Sequence, residues 1–279
     1  MTTSISRTLG QRIIPALFAA LLCLSLPAAA KDLSALTRWS ETSTARVDHA
    51  AWTAFLDRYV EESRPDRVAC IRYGAVTAED RQALKDYIAE LAAADPARLG
   101  RDEAFAYWAN LYNALTVDLI LSRYPVASIR NIKPSPIATG PWKMPATAVK
   151  GVSLSLDDIE HKILRAAFKD PRVHYALNCA SIGCPDLRPP AFGGATLDAA
   201  LDQAARNYVN HPRGARFDAK GRLTVSSIYK WFKEDFGGDE AGVIAHLSRY
   251  AESDLAARLK ATKRIAGYDY DWALNDAKP

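Results

Sequence analysis

Apolar residues recur along this chain at two spacings, and these spacings predict its secondary structure. A period of three to four residues predicts helices over 50–60, 77–92, 103–121, 156–168, 197–207, 228–235 and 241–250. Alternation in shorter segments predicts strands over 68–73 and 172–178 and hairpins over 149–154 and 216–225. The pattern therefore predicts an α+β fold, a helix-dominated single domain with short antiparallel strands and hairpins.

Local signals place several of these elements more closely. The helix over 103–121 is apolar nearly all round, which is typical of a buried central helix. Thr77 and Asp80 form a capping pair at the start of the second helix, and Ser155 is placed to cap the helix that follows it. The pair Lys150–Gly151 is expected to form a hairpin turn.

The N-terminal segment predicts export. Residues 1–30 contain Arg7 and Arg12 but no acid, continue through the apolar run 13–26, and end in Ala28–Ala30. This is the order of regions in a secretory signal peptide, and the apolar run is short for a membrane span, which needs roughly 20 residues. We therefore expect a periplasmic protein that does not span the membrane, with residues 31–279 forming one domain.

Charge and cysteine content narrow the classes of function. The formal charge is +4 and falls by two when residues 1–30 are removed, so no basic surface for nucleic acid is expected. Cys70, Cys179 and Cys184 remain, an odd number in an oxidising compartment, and their pairing cannot be deduced from sequence. Cys23 would permit lipid attachment instead of cleavage, but Leu22 precedes it where a small residue is expected.

Polar residues occupy positions where the predicted helices should be apolar. Tyr107, Asn110 and Asn113 lie three apart and share one face of the central helix. Buried amides need partners, so the two asparagines either brace a neighbouring loop or orient a catalytic group or ligand. Glu160 falls within the apolar stripe of the helix 156–168. Its carboxylate is expected to pair with an arginine, or to act as a general acid or base or as the orienter of a histidine.

The segment 174–185 carries the strongest chemical candidates. His174 lies on a predicted strand that leads into a turn with Cys179 and Cys184. A thiolate, an imidazole to accept its proton and a polar group to hold that imidazole are the parts of nucleophilic cysteine catalysis. Five residues of extended strand separate side chains by about 16 Å, so Cys179 meets His174 only if the chain bends. A core histidine beside a structural cysteine is the alternative.

Five motifs, in this order along the chain, resemble one known family. They are AYWANLYNALTVDLIL at 106–121, VSLSLDDIEHKILR at 152–165, DPRVHYALNCASIGCPDLRPPAF at 170–192, SSIYKWFKEDFG at 226–237 and YDYDWALND at 268–276. Together they are similar to the domain-of-unknown-function family 547, over nearly the whole chain after residue 48. The resemblance implies that Asn110, Asn113, Glu160, Arg165, His174, Cys179, Pro185, Trp231 and Asp235 occupy motif positions, and it implies no activity.

These observations support two classes of function. The first is a hydrolase or acyl-transfer enzyme acting on peptide, amide or ester bonds of the envelope, with Cys179 or water as nucleophile, His174 as base, and Glu160 or Asn110 as orienter. The second is a non-catalytic binding or envelope-assembly domain with an unknown protein or envelope partner, in which Trp142, Trp231 and Trp272 line a groove. A zinc site from His174, Cys179, Cys184 and Glu160 has suitable ligand types but no recognised spacing. No cofactor is expected, and the oligomeric state is left open.

Overall fold

Helices are the most common elements of the described chain, and several begin where local signals place them. A computed structural model describes Met1 and residues 31–277, so the predicted signal peptide lies outside the described residues except for Met1. The helices are α1 (Ala50–Tyr59), α2 (Ala78–Ala93), α3 (Arg101–Leu121), the π-helix Asp158–Phe168, α4 (Val173–Ala176), α5 (Leu197–Val209), α6 (Ile228–Trp231), α7 (Glu240–Tyr250) and α8 (Ser253–Lys260). No helix of the described residues is long and apolar enough to cross a membrane.

The predicted helix caps are present. The Thr77 hydroxyl accepts a hydrogen bond from the Asp80 backbone N–H at 3.1 Å, which satisfies a free donor in the first turn of α2. The Ser155 hydroxyl accepts from the Asp158 N–H at 3.2 Å, and the Asp158 carboxylate accepts from the Ser155 N–H at 3.1 Å. This reciprocal pair starts the helix that carries Glu160.

The strands are short and mostly paired in antiparallel fashion. They are β1 (Val60–Glu61), β2 (Cys70–Ile71), β3 (Thr147–Val149), β4 (Val152–Leu154), β5 (Ala215–Phe217), β6 (Leu223–Ser226) and β7 (Gly267–Asp269). The hairpin β3–β4 turns at Lys150 and Gly151, whose φ angles of 51° and 76° suit a tight hairpin turn. β7 adds a parallel pairing to β6, which the sequence pattern did not predict.

The prediction of a strand over residues 172–178 is wrong. Val173–Ala176 forms one turn of helix, and Asp170 and Pro171 form the turn that leads into it. The Asp170 carboxylate accepts from the Arg172 N–H at 2.8 Å, and the His174 N–H donates to the Pro171 carbonyl at 3.3 Å. An acceptor side chain followed by proline favours the start of a helix, and this local signal outweighs the strand preference of valine and tyrosine. The chain therefore bends where an extended strand was expected.

Two hydrophobic cores lie within the unit Asp32–Pro279. The first surrounds α3, whose residues are buried on almost every side, as its sequence predicts. The second packs α5, α6 and α7 against the β5–β6–β7 sheet and contains four buried tyrosines, Tyr175, Tyr208, Tyr229 and Tyr250. The short helix α4 joins them, because Val173 and Ala176 belong to the first core and Tyr175 to the second.

Candidate functional site

A cavity of about 380 Å³ opens where the two cores meet. Its volume falls within the range of about 300–1,000 Å³ that is typical of small-molecule sites. His174, Glu160, Cys179 and Cys184 all line it, so the structure brings four sequence candidates to one place. Its other walls are mainly aromatic, formed by Tyr112, Trp142, Trp231, Phe232, Tyr270 and Trp272.

A histidine–carboxylate pair forms one wall of the cavity. His174 Nε2 lies 2.7 Å from Asp235 Oδ2, and the Arg165 guanidinium donates to the same oxygen at 2.6 Å. Because an ionised carboxylate only accepts hydrogen bonds, we assign the hydrogen of neutral His174 to Nε2. Nδ1 is then the basic nitrogen, and no hydrogen bond occupies it within the described part of the chain.

Burial and hydrogen bonding set the charges of this pair. The His174 side chain is buried and stacks on the Phe232 ring at a centroid distance of 4.3 Å. Burial lowers the pKa of His174, although the hydrogen bond with Asp235 opposes this effect. Burial alone would raise the pKa of Asp235, but hydrogen bonds from His174 and Arg165 hold that pKa well below its usual range. At neutral pH the site therefore contains a neutral imidazole held by an ionised carboxylate.

Glu160 lies beside this pair. Its partner is a tyrosine hydroxyl rather than the arginine that the sequence predicts. Its Oε2 accepts a hydrogen bond from the Tyr112 hydroxyl at 3.0 Å, and its Oε1 lies 3.7 Å from His161 Nδ1. Arg165, one turn further along the same helix, pairs with Asp235 instead. Burial, and then the neighbouring Glu160 charge, raise the pKa of Tyr112, so its hydroxyl remains a donor. Glu160 is thus a partnered carboxylate whose side chain is 14% exposed.

Cys179 is not a free thiol in this structure, because it forms a disulfide with Cys184. The proposed thiolate nucleophile is therefore absent in this state, and sequence alone left this pairing open. The Tyr270 hydroxyl lies 3.1 Å from each sulfur, and the Cys179 N–H donates to Cys184 Sγ at 2.9 Å. Cys70 is the free cysteine of the described residues, and burial raises the pKa of its thiol to about 11.

The two asparagines of α3 bind backbone rather than the cavity. Asn110 donates to the Phe192 carbonyl at 2.8 Å and accepts from the Phe192 N–H at 3.1 Å, so both amide groups are occupied. Asn110 does not line the cavity, and Asp235 is the group that holds His174. Asn113 donates to the Ala176 carbonyl and accepts from the Asn178 N–H, each at 2.9 Å. It therefore fixes the backbone between His174 and Cys179.

Sequence reasoning did not assign a role to Asp235 or Arg165, although both lie in the quoted motifs. Asp235 is 61 residues from His174 along the chain, and no local spacing relates the two. Their contact depends on how α6 and the following turn pack against α4. Trp142, predicted to line a groove with Trp231 and Trp272, is half-buried and packs edge-to-face on Trp272.

Among the described residues, the side chains considered as zinc ligands do not form a metal site. Within residues 31–277, no three His, Cys, Asp or Glu side chains come together in a geometry that could hold a metal ion. The disulfide also occupies both sulfur atoms that were considered as ligands.

Comparison with known sequences matches one family over part of the chain. Residues 96–209 match the family described as "Protein of unknown function, DUF547", so this segment is similar to that family. The match covers part of the chain rather than nearly all of it. The family predicted from the motifs is therefore correct, but the predicted length of the match is too large. It includes Glu160, His174 and both bridged cysteines, whereas Asp235 and Trp231 lie beyond it. No curated protein and no solved structure matches the chain.

Proposed function

We propose that this protein is a hydrolase of amide or ester bonds that uses His174 as a general base and water as the nucleophile. The observation that carries the proposal is the 2.7 Å contact between His174 Nε2 and Asp235 Oδ2 at the cavity wall. A carboxylate that holds an imidazole in one tautomer is the recurrent arrangement for activating a nucleophile. The disulfide excludes a thiolate in this state, so water takes its place.

The proton transfer follows from the tautomer. With hydrogen on Nε2, the lone pair of Nδ1 accepts a proton from a water molecule while the water oxygen attacks the carbonyl carbon. The imidazolium formed is stabilised by the Asp235 carboxylate and then returns the proton to the leaving amine or alcohol. Because burial lowers the pKa of His174, the imidazole is unprotonated at neutral pH and can accept a proton.

The other lining groups favour a particular kind of substrate. Asp157 and Glu160 add negative charge to the cavity, and Arg130 is a positively charged group in its wall. The excess of acidic groups favours a substrate with a cationic or amine portion, since opposite charges attract more strongly where water is excluded. An amide whose leaving group is an amine meets this condition, as peptide linkages do.

A second candidate function is binding without catalysis. Trp231 is 46% exposed and contacts both Tyr270 and Trp272, with ring centroids 4.8 and 5.5 Å apart. Exposed, clustered aromatic rings are common at binding surfaces. In this function an envelope ligand or protein packs on this cluster, and His174 and Asp235 have only a structural role in the cavity wall.

One experiment separates the two functions. Purified protein is assayed against a panel of p-nitrophenyl esters and aminoacyl p-nitroanilides, with His174→Gln and Asp235→Asn as test variants and Asp218→Asn as control. Asp218 accepts hydrogen bonds from Arg222 and does not line the cavity. Loss of the base should lower kcat/KM by roughly 10²–10⁴-fold, with Asp218→Asn unchanged. Hydrolysis that survives His174→Gln would refute the mechanism, whereas ligand-induced tryptophan quenching without any turnover would favour binding.

We also propose that the protein works in the periplasm, because residues 1–30 have the order of a signal peptide. The expected result is a periplasmic species that begins at Lys31, as measured by fractionation and intact mass. A cytoplasmic species retaining residues 1–30, or one acylated at Cys23, would contradict this.

A further inference from the structure

We propose that the Cys179–Cys184 disulfide is a redox centre that exchanges with a thiol entering the cavity, a second activity that does not rest on hydrolysis. The incoming thiolate attacks Cys179 Sγ, and Cys184 leaves as the thiolate. The substrate class is a thiol, carried either by a small molecule or by a cysteine side chain.

Access to the two sulfurs sets the direction of attack. Both cysteines line the cavity, so the bond faces the space that a ligand would fill. Cys184 is buried, at 3% exposure, whereas Cys179 is partly exposed. Thiol–disulfide exchange depends on which sulfur an attacking thiolate can reach. The attack therefore falls on Cys179.

The surroundings of Cys184 suit a leaving thiolate. Its sulfur accepts the Cys179 N–H at 2.9 Å and lies 3.1 Å from the Tyr270 hydroxyl, which is also within reach of Cys179 Sγ and Ser181 Oγ. As the bond breaks, the negative charge develops on Cys184, so both the N–H and the hydroxyl hydrogen would donate to it. Burial keeps Tyr270 protonated by raising its pKa, so the phenol is available as a donor. A more stable leaving thiolate makes exchange faster.

The loop that carries the disulfide is held in place by other bonds. Arg213 donates to the Ile182 carbonyl at 2.8 Å and to the Cys184 carbonyl at 2.7 Å. The Tyr208 hydroxyl donates to the Gly183 carbonyl at 2.6 Å. The two cysteines are only 5 residues apart, and a short loop gains the least from a covalent closure. The bridge is therefore not required to hold its own loop, and it can open without loss of the cavity.

The exchange is balanced in two steps. The thiolate forms a bond to Cys179 Sγ, the Cys179–Cys184 bond breaks, and its electron pair goes to Cys184. A second thiolate, on the same substrate or on a second molecule, then attacks the substrate sulfur and releases Cys179 as a thiolate. The substrate is oxidised to a disulfide by two electrons, and the protein is reduced to a dithiol.

The charge of the cavity predicts a preference among thiols. The wall carries two carboxylates, Asp157 and Glu160, against one guanidinium, that of Arg130. His161 lies 3.6 and 3.7 Å from the two carboxylates. A cationic thiol should therefore react faster than an anionic thiol of similar size. Cysteamine and mercaptoacetate supply such a pair, and dividing each rate by the rate with a free small-molecule disulfide removes their different intrinsic reactivities.

The test uses the oxidised, folded protein. It is mixed with cysteamine, mercaptoacetate or a cysteine-containing peptide, trapped by an excess of iodoacetamide at the reaction pH, and mapped by mass under non-reducing conditions. The expected product is a mixed disulfide at Cys179 with carbamidomethyl at Cys184, and the peptide arm distinguishes a protein thiol from a small one. A mixed disulfide at Cys184, or exchange that occurs only after unfolding, would overturn the proposal.

A matched pair of tyrosine variants tests the role of the donor. Tyr270→Phe removes one hydrogen bond to the leaving sulfur and should slow formation of the mixed disulfide by about tenfold. Tyr250→Phe, whose hydroxyl faces Asp202 at 3.4 Å away from the sulfurs, should leave the rate unchanged. Thermal melting of both variants confirms that they fold, and equal rates for the two would remove Tyr270 from the mechanism. Because the readout is the mass of the cysteine peptides, failure of hydrolysis leaves this test intact.

Discussion

The buried asparagines beside the first core and the tyrosine–histidine cluster of the second bond different kinds of partner. In the first core the amides of Asn110 and Asn113 bond the backbone of neighbouring segments. In the second, the Tyr175 hydroxyl bonds other side chains, since it lies 3.1 Å from the Tyr229 hydroxyl and 2.8 Å from His246 Nε2. Backbone bonding fixes where a segment runs, whereas side-chain networks fix rotamers and protonation. The cavity lies where the two cores meet, so both kinds of hydrogen bonding contribute to its walls.

This difference explains how the cavity is built. The first core positions the chain between His174 and Cys179 through Asn113. The second core supplies Phe236, next to Asp235, which packs against the His174 ring with centroids 5.2 Å apart. A change in the first core should therefore displace the site, whereas a change in the second should alter its protonation.

The largest expected effect is that of Asn113→Ala. It leaves the Ala176 carbonyl and the Asn178 N–H without their partners, and each buried unpaired group costs about 1–3 kcal/mol. We expect the free energy of unfolding to fall by about 2–5 kcal/mol, measured by urea titration. Asn110→Ala, whose backbone partners are only partly buried, should cost less. Equal losses of unfolding free energy in the two variants would show that the burial of the backbone partners does not set the size of the effect.

A second prediction concerns acid. Burial lowers the pKa of His246 to about 4, whereas an unfolded histidine titrates near 6.5. As the pH falls from about 6.5 to 4, the unfolded chain takes up a proton that the folded chain does not, so stability is lost in this window. The loss should approach about 3 kcal/mol, measured from unfolding curves at each pH, and buried His174 acts in the same direction.

The control for this prediction is a pair of histidine variants. His246→Gln should flatten the slope between pH 6.5 and 4, and His211→Gln, whose pKa is also lowered by burial but is less strongly shifted, should flatten it less. A wild-type slope of the opposite sign would contradict the neutral, buried state of His246.

Tyr229→Phe should have a smaller effect. It removes one side of the Tyr175–Tyr229 hydrogen bond, but Tyr175 keeps its bond to His246. One neutral hydrogen bond contributes about 1 kcal/mol, so we expect a decrease of about 0.5–1 kcal/mol in thermal or urea unfolding. A loss of several kcal/mol would mean that the network acts as one cooperative unit.

Trp231→Ala should have the smallest effect on stability. The side chain is 46% exposed, and surface changes of this kind fall within about 0.5 kcal/mol. Ligand binding in the cavity should weaken at the same time, as measured by titration with any substrate that the panel identifies. Unfolding of this variant would place Trp231 among the structural residues instead.

Much of the fold was predictable because its signals are local. The buried helix α3, the Thr77 cap and the β3–β4 turn each depend on residues a few positions apart. The segment 172–178 was not, since the residue types favour a strand while the preceding Asp170–Pro171 forms a turn that leads into a helix. Periodicity over seven residues is too short to decide between two such signals.

The candidate site was predictable only in part. Chemical type and position in the sequence selected Glu160, His174 and Cys179, and all three line the cavity. Asn110 was selected by the same reasoning, yet the structure places it against Phe192. A polar residue on a buried helix face needs a partner, and its identity cannot be inferred from the helix alone.

By itself, the sequence determined the helix-dominated α+β class, the central buried helix, and the segment that carries the reactive side chains. These depend on apolar spacing and on residue chemistry, both of which are local. Only the tertiary structure decided that Asp235 rather than Asn110 holds His174, and that Cys179 is joined to Cys184. Both are contacts made by chain folding, and their geometry is set by how two cores pack together rather than by any spacing along the chain.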